Sequence, residues 1–323
     1  MAKDYIISVD LGGTKILSAI INKEKQIIER TKVATDIKKG PDFLVESVVK
    51  SIEELLKKTD VTENQIKAIA LGVPGTVNPQ SGIISVAPNL KIENFNIKKE
   101  TEKYFNIPLL LENDVNMAAL GIKYFEYNNT IVNGLVVFLG TGIGGGLIFN
   151  GQFYRGSSFF AGEIGHMKVR ANGYFDGEGA KSTFENLASR TAIVNNIIKR
   201  SEKKNTVLKK IIKDKEKIKS KNLQKAIEQK DELVIEEIEK ACKIVGTVLG
   251  SITTLLNLDT IVLGGGLIEA NEKFMMEKIE KAFKNAAIKD AAKVVNLKST
   301  KLGDDAPLYG GYALVEEFIK DEN

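Results

Sequence analysis

Three times in 323 residues an apolar run ends in a cluster of glycines. Tyr5 to Val9 leads through Asp10 into Leu11-Gly12-Gly13-Thr14-Lys15. Leu135 to Leu139 leads into Gly140-Thr141-Gly142-Ile143-Gly144-Gly145-Gly146, and Thr260 to Leu263 into Gly264-Gly265-Gly266. Short apolar runs punctuated in this way predict strands that end in turns, which excludes an all-helical chain. After the first two clusters the chain reads as strand again, over Ile16 to Ile21 and Gly144 to Phe149. Aligning Asp10–Asn22 with Phe138–Asn150 matches Leu, Gly, Ile and Asn, and the order of strand, glycine turn and strand is the same. This predicts two similar lobes, over 1–125 and 126–323, with the boundary between 120 and 130.

Between these landmarks the pattern alternates. Gln26 to Ala34 is a third strand, completing a meander. Val45, Val48, Val49, Ile52, Leu55 and Leu56 recur at helical spacing. Ile66 to Leu71 is a short buried strand that runs into Gly72-Val73-Pro74-Gly75, a loop. The second lobe is largely helical from Phe184 to Leu256, where Gly246 and Gly250 stand four apart and let a neighbour approach closely. A helix from Pro307 to Ile319 closes the chain. Strands and helices in alternation predict an α/β protein.

Charge narrows the function. The formal net charge is +4, but Lys199–Lys230 alone carries 13 basic and 4 acidic residues. The rest is therefore mildly acidic, which does not suit a nucleic-acid binder, and the basic stretch reads as a solvated helix face. There is no apolar run long enough to span a membrane, and the polar start, with Asp4, does not suit a signal peptide. One cysteine, Cys242, and one histidine, His166, exclude an internal disulfide and a His/Cys zinc site within one chain. The expected location is a reducing cytoplasm.

Glycines let backbone N–H groups face an anion with no Cβ in the way. Thr14 and Thr141 add hydroxyl donors, Lys15 a cation, and Asp10 a strand-end carboxylate able to hold hydrated Mg²⁺ between phosphates. None of the three clusters is a GxxxxGK[ST] loop, and the run after Gly142–Gly146 is strand-like, against a dinucleotide fold. One such cluster would read as a tight hairpin turn. Three, at strand ends of two matching lobes, predict nucleotide binding.

These residues resemble the ROK family (repressors, open reading frames and sugar kinases) of the actin-like ATPase superfamily. Asp10–Lys15 is similar to its first phosphate motif. Gly142–Leu147 is followed by eight residues and Gly156, five more and Gly162, then two and Gly165-His166, the family signature in full spacing. Glu112-Asn113-Asp114 with Asn116 and Ala118–Gly121 resembles the catalytic segment, and Pro88-Asn89-Leu90 the sugar loop. The resemblance covers about residues 5–315. It implies two RNase-H-like lobes with an active-site cleft between them, and ATP-dependent phosphorylation of a hexose or N-acylhexosamine.

The resemblance assigns roles residue by residue. Asp114 would take the proton from the sugar 6-hydroxyl; the helical stripe after it also allows a helix cap. Gly75, Asn89, Asn113, Glu163, His166 and Glu185 would bind sugar hydroxyls, with Thr76 beside Gly75. Asp10, Gly12, Gly13, Thr14, Lys15, Thr141, Gly142, Gly264, Gly265 and Gly266 would hold ATP and Mg²⁺.

The chain departs from the family at one place. The cysteines of the usual CxCGxxGC zinc loop fall on Asp176, Glu178 and Thr183. Carboxylates and a hydroxyl are hard ligands that suit zinc poorly, so no structural zinc is expected. That loss points away from glucose and toward N-acetylmannosamine, with glucose the alternative. A ROK repressor would need a DNA-binding domain ahead of Asp10, for which there is no room. A chaperone-like ATPase of the superfamily would lack Glu163–His166 and the Asn89 loop, and a catalytically dead sugar sensor would not need Asp114. The expected partner is a small-molecule sugar, with no nucleic acid and no membrane, and the protein is expected to be a homodimer, as family members often are.

Overall fold

The computed structural model describes residues 3–35, 37–169 and 182–319. They pack into two compact units. The first takes the described residues up to Thr130, then Arg155–Ala161, then those from Asp304 onward. The second takes Ile131–Tyr154 and Gly162–Gly303.

The first unit begins with β1 (Tyr5–Leu11), β2 (Lys15–Asn22) and β3 (Ile27–Ala34), then α1 (Pro41–Lys57) and β4 (Ile66–Val73). A small meander comes next, β5 (Thr76–Asn78), β6 (Ile83–Ala87) and β7 (Ile92–Phe95), then α2 (Ile97–Thr101), β8 (Leu109–Asn113) and α3 (Asp114–Gly121). The second unit runs β9 (Gly134–Leu139), β10 (Ile143–Phe149), β11 (Gln152–Tyr154), α4 (Phe184–Ala188), α5 (Arg190–Ser201), α6 (Lys209–Lys213) and α7 (Ser220–Glu228). It continues through α8 (Glu232–Leu256), β12 (Thr260–Gly264), α9 (Gly266–Ala286), α10 (Lys289–Val294) and β13 (Asn296–Ser299). Helix α11 (Ala306–Phe318) belongs to the first unit.

The two main sheets have the same plan. The first is ordered β3-β2-β1-β4-β8 and the second β11-β10-β9-β12-β13. In each, the opening meander pairs antiparallel and the next two strands add in parallel. The weak sequence repeat is therefore a duplicated sheet.

Period-2 alternation sorts β1 between two layers. Ile7, Val9 and Leu11 are buried in one core with Leu44, Val48, Ile52 and Leu55, the apolar stripe of α1. The Ser8 hydroxyl points the other way and donates to the Pro307 carbonyl of α11 at 3.4 Å. In the second unit Leu135, Val137 and Leu139 join a core with Val245, Leu249 and Ile279. There a Cβ on Gly250 would stand 2.7 Å from the Ala286 Cβ, so α9 is the close neighbour that the Gly246/Gly250 pair admits.

The basic stretch is largely exposed, and Lys204 pairs with Glu236 at 2.8 Å. No helix among the described residues is long and apolar enough to cross a membrane.

Candidate active site

In the first unit the β1–β2 hairpin turn places Gly12 to Thr14 at a strand end. The Gly12 N–H donates to the Lys15 carbonyl at 2.9 Å, and the Thr35 hydroxyl donates to the Gly12 carbonyl at 2.9 Å. This leaves the Thr14 side chain exposed. Lys15 is ion-paired with Asp304 at 2.8 Å. A Cβ on Gly13 would stand 3.4 Å from the Asn89 carbonyl, so the turn after β6 lies against this hairpin. Buried Leu90 anchors that turn and Asn89 is exposed on it.

Asp10 sits at the end of β1, within Coulombic reach of Asp114 at the start of α3. Burial, and then the like charge of Asp114, push its carboxyl up to about 7, against an opposing pull from Lys15. Two carboxylates that repel each other lower their energy by gaining a proton or a cation. They offer hard oxygen donors of the kind Mg²⁺ takes together with phosphate oxygens and water. No group of three or more metal-capable side chains exists among the described residues.

The helix cap is Asn113, not Asp114. The Asn113 side chain accepts from the Asn116 N–H at 3.0 Å, while the Asp114 carboxylate, one residue further on, accepts from the Val115 N–H at 2.9 Å. The amide of Asn113 also donates to the Gly75 carbonyl at 2.9 Å. Gly75 has φ +99°, and a Cβ there would overlap the Val86 carbonyl, so no other residue fits. Asn113 thus ties the loop after β4 to the first turn of α3, using one acceptor and one donor and leaving capacity for a ligand.

The second unit gathers Glu163, His166 and Glu185. Glu163 Oε2 lies 3.8 Å from His166 Nε2, and the imidazole is largely exposed. The Glu163 carboxyl is raised mainly by burial, with His166 opposing and Glu185 adding to the rise. Glu185, in the first turn of α4, accepts from the Ile143 N–H at 2.8 Å and occupies the space a Cβ on Gly142 would need.

The signature glycines have two separate tasks. Gly140 is open, with nothing among the described residues near its Cβ position. Gly145, Gly162 and Gly165 are instead crowded, because the segment carrying Glu163 and His166 lies directly on the backbone of β10. Part of a run that sequence reads as anion-binding is therefore there for close packing.

Around Gly140–Gly142 the structure adds residues that sequence did not single out. Arg190 Nη2 donates to the Thr141 hydroxyl at 2.6 Å, its N–H donates to the Gly140 carbonyl at 2.9 Å, and the Thr191 hydroxyl donates to the Thr141 carbonyl at 2.7 Å. Arg190 also lines a cavity of about 450 Å³ with Lys219, Ser220, Lys221, Gly266 and Glu269. The Ser220 hydroxyl there is buried with no hydrogen-bond partner among the described residues. The third glycine cluster is not a hairpin. Gly264 ends β12, Gly265 (φ +86°) turns the chain, and Gly266 opens the 21-residue helix α9 with no side-chain cap. Uncapped N–H groups at a helix start favour an anion.

Of the zinc-loop positions, Asp176 and Glu178 lie outside the described residues. The Thr183 hydroxyl caps α4, accepting from the Asn186 N–H at 3.2 Å.

The duplicated sheet, with a glycine hairpin opening each copy, is the actin-like ATPase fold. A glucokinase from Streptomyces griseus solved with glucose and AMPPNP has a similar structure, with TM-score 0.81 and 25% identity, covering 97% of this chain and 99% of that one. The chain belongs to the ROK family, whose model matches residues 6–318. It is similar to a glucokinase of Halalkalibacterium halodurans, 27% identical over 98% of this chain and 96% of that protein. It is also similar to a xylose repressor of Caldicellulosiruptor bescii, 26% identical over 96% of this chain and 77% of that protein.

Proposed function

We propose that the protein is an ATP-dependent sugar kinase that transfers the γ-phosphoryl group to the 6-hydroxyl of a hexose or N-acylhexosamine. The observation that carries this reading is the pair Asp10 and Asp114, near enough for their charges to act on each other, with the Gly12–Lys15 hairpin following Asp10 and the Asn89 turn against that hairpin. Asp114 accepts the hydroxyl proton as the sugar oxygen attacks phosphorus and ADP departs. Phosphoryl transfer asks little more of a protein than positioning and charge neutralisation. Gly12, Gly13, Thr14 and Lys15 would face the phosphates, as would Thr141 and Gly142 in the second unit's turn. Gly264, Gly265 and Gly266, with Arg190 and the Ser220 cavity, would receive the adenosine end. Asn89, Asn113, Gly75, Glu163, His166 and Glu185 would engage sugar hydroxyls with paired donors and acceptors. Asp10 would hold Mg²⁺, which supplies charge neutralisation at the phosphates.

The test is sugar-stimulated ADP production from ATP across N-acetylmannosamine, glucose, N-acetylglucosamine and fructose. The missing zinc cysteines favour N-acetylmannosamine, and the glucokinase relatives favour glucose. Turnover with any of them supports the kinase, and the panel picks the substrate. No stimulation by any sugar would overturn it. The xylose-repressor relative favours a second reading, a sugar-responsive regulator, which a DNA shift assay at physiological salt tests directly.

A further inference from the structure

Behind the first turn of α3 lies a buried charge network. Glu112, the residue before Asn113 on β8, is 1% exposed. Its Oε1 accepts from the Asn113 N–H at 2.9 Å and from the Asn116 side-chain amide at 3.0 Å. Its Oε2 accepts from Arg155 Nε at 2.6 Å. Arg155 Nη1 donates in turn to Glu317 of α11 at 3.2 Å, and the guanidinium lies 5.0 Å over the Phe318 ring. Arg155 begins the short segment that packs in the first unit although the chain on either side belongs to the second.

The geometry bears on Asp114. Asn113 and Asn116 flank it, and both are held by one oxygen of Glu112. The other oxygen is held by Arg155. A carboxylate at this depth is tolerable only with a cation and full hydrogen bonding, and removing one partner of such a pair leaves the other charge uncompensated. We propose that Glu112 and Arg155 are positioning residues: Arg155 fixes the Glu112 carboxylate, and that carboxylate fixes the turn from which Asp114 projects. The inference rests on reading Asp114 as the base. It makes the pair a determinant of turnover rather than of stability alone, because small misplacement of a reacting group costs rate steeply.

The experiment compares Glu112→Gln, Arg155→Met, Arg155→Lys and the Glu112→Gln/Arg155→Met double variant, using the sugar the wild type phosphorylates. Glu112→Gln keeps an oxygen for the Asn113 N–H but turns an amide toward Arg155. Each single loss of charge should lower kcat by about 10²-fold, at a temperature well below melting, with KM for ATP nearly unchanged. Arg155→Lys should recover part of the loss, and the double variant should be no worse than either single, since the pair acts as a unit. If Arg155→Met does not fold, Glu112→Gln and Arg155→Lys decide. A folded Glu112→Gln or Arg155→Met whose kcat stays within about twofold of wild type, or whose only defect is in melting temperature or KM, overturns the inference. Asp114→Asn is the control. If it keeps turnover, the reading of Asp114 fails and this inference with it. If it is dead while Glu112→Gln is normal, only this inference fails.

Discussion

The Glu185 carboxylate accepts a hydrogen bond from the Ile143 N–H, 2.8 Å away, and in doing so fills the space beside Gly142. A side chain assigned to a sugar hydroxyl therefore also holds a glycine turn. The two duties separate by substitution. Glu185→Ala removes the acceptor and should cost about 1–3 kcal/mol in denaturant unfolding. Glu185→Gln keeps an acceptor oxygen and should stay near wild-type stability while the sugar KM rises about tenfold or more, the loss of a charge-assisted hydrogen bond. Equal stability loss in both variants would contradict this.

Asp10 makes a pH-dependent prediction. Its folded carboxyl is pushed up to about 7, from an ordinary value of 3.8. The charged form is disfavoured in the folded protein, so Asp10 lowers stability progressively as pH rises from the ordinary carboxylate range through about 7. Asp10→Asn should therefore melt higher than wild type at pH 8, with the gap closing toward pH 4, while kinase turnover is lost. Thermal melts of ligand-free protein across that range check it; a lower melting point at pH 8 would contradict it.

Cys242 is fully buried on α8, and burial pushes its thiol up to about 12. It should be inert to a thiol reagent in the folded protein and react fully in denaturant. Fast labelling under native conditions would contradict the packing of α8.

Arg190 tests the nucleotide side. Its bonds to Thr141 and Gly140 hold the second turn, and it lines the cavity beside Gly266. Arg190→Ala should raise the KM for ATP about tenfold or more, since a charged hydrogen-bonding partner is lost, and leave that for sugar little changed. Initial-rate kinetics with each substrate varied in turn check this.

The elements that sequence showed best are those whose signal is local. The β1–β2 and β9–β10 hairpins announce themselves by apolar runs broken at glycine, and α1 by its stripe from Val45 to Leu56. The third glycine cluster was harder, because a glycine of positive φ after a strand can open either a hairpin or a helix, and α9 begins with no capping side chain. Asn113 and Asp114 are both good cap residues, and only the hydrogen bond from the Asn116 N–H shows which one caps. Arg155 carried no signal at all. Its partners Glu112 and Glu317 are 43 and 162 positions away, and no periodicity links them. Arg190 and Ser220 were likewise invisible, since a pocket wall drawn from separate helices has no motif. That Gly145, Gly162 and Gly165 are packing glycines needed the backbone of β10 beside them.

The central claim is that Asp114 accepts the proton of a sugar hydroxyl. The direct measurement is sugar-dependent ADP release by the wild type and by Asp114→Asn, at saturating ATP and sugar, with melting curves of both. The account predicts turnover by the wild type and a fall of about 10²–10⁴-fold in Asp114→Asn, with melting nearly unchanged because Asn113 is the cap. Comparable turnover by the two proteins would contradict it.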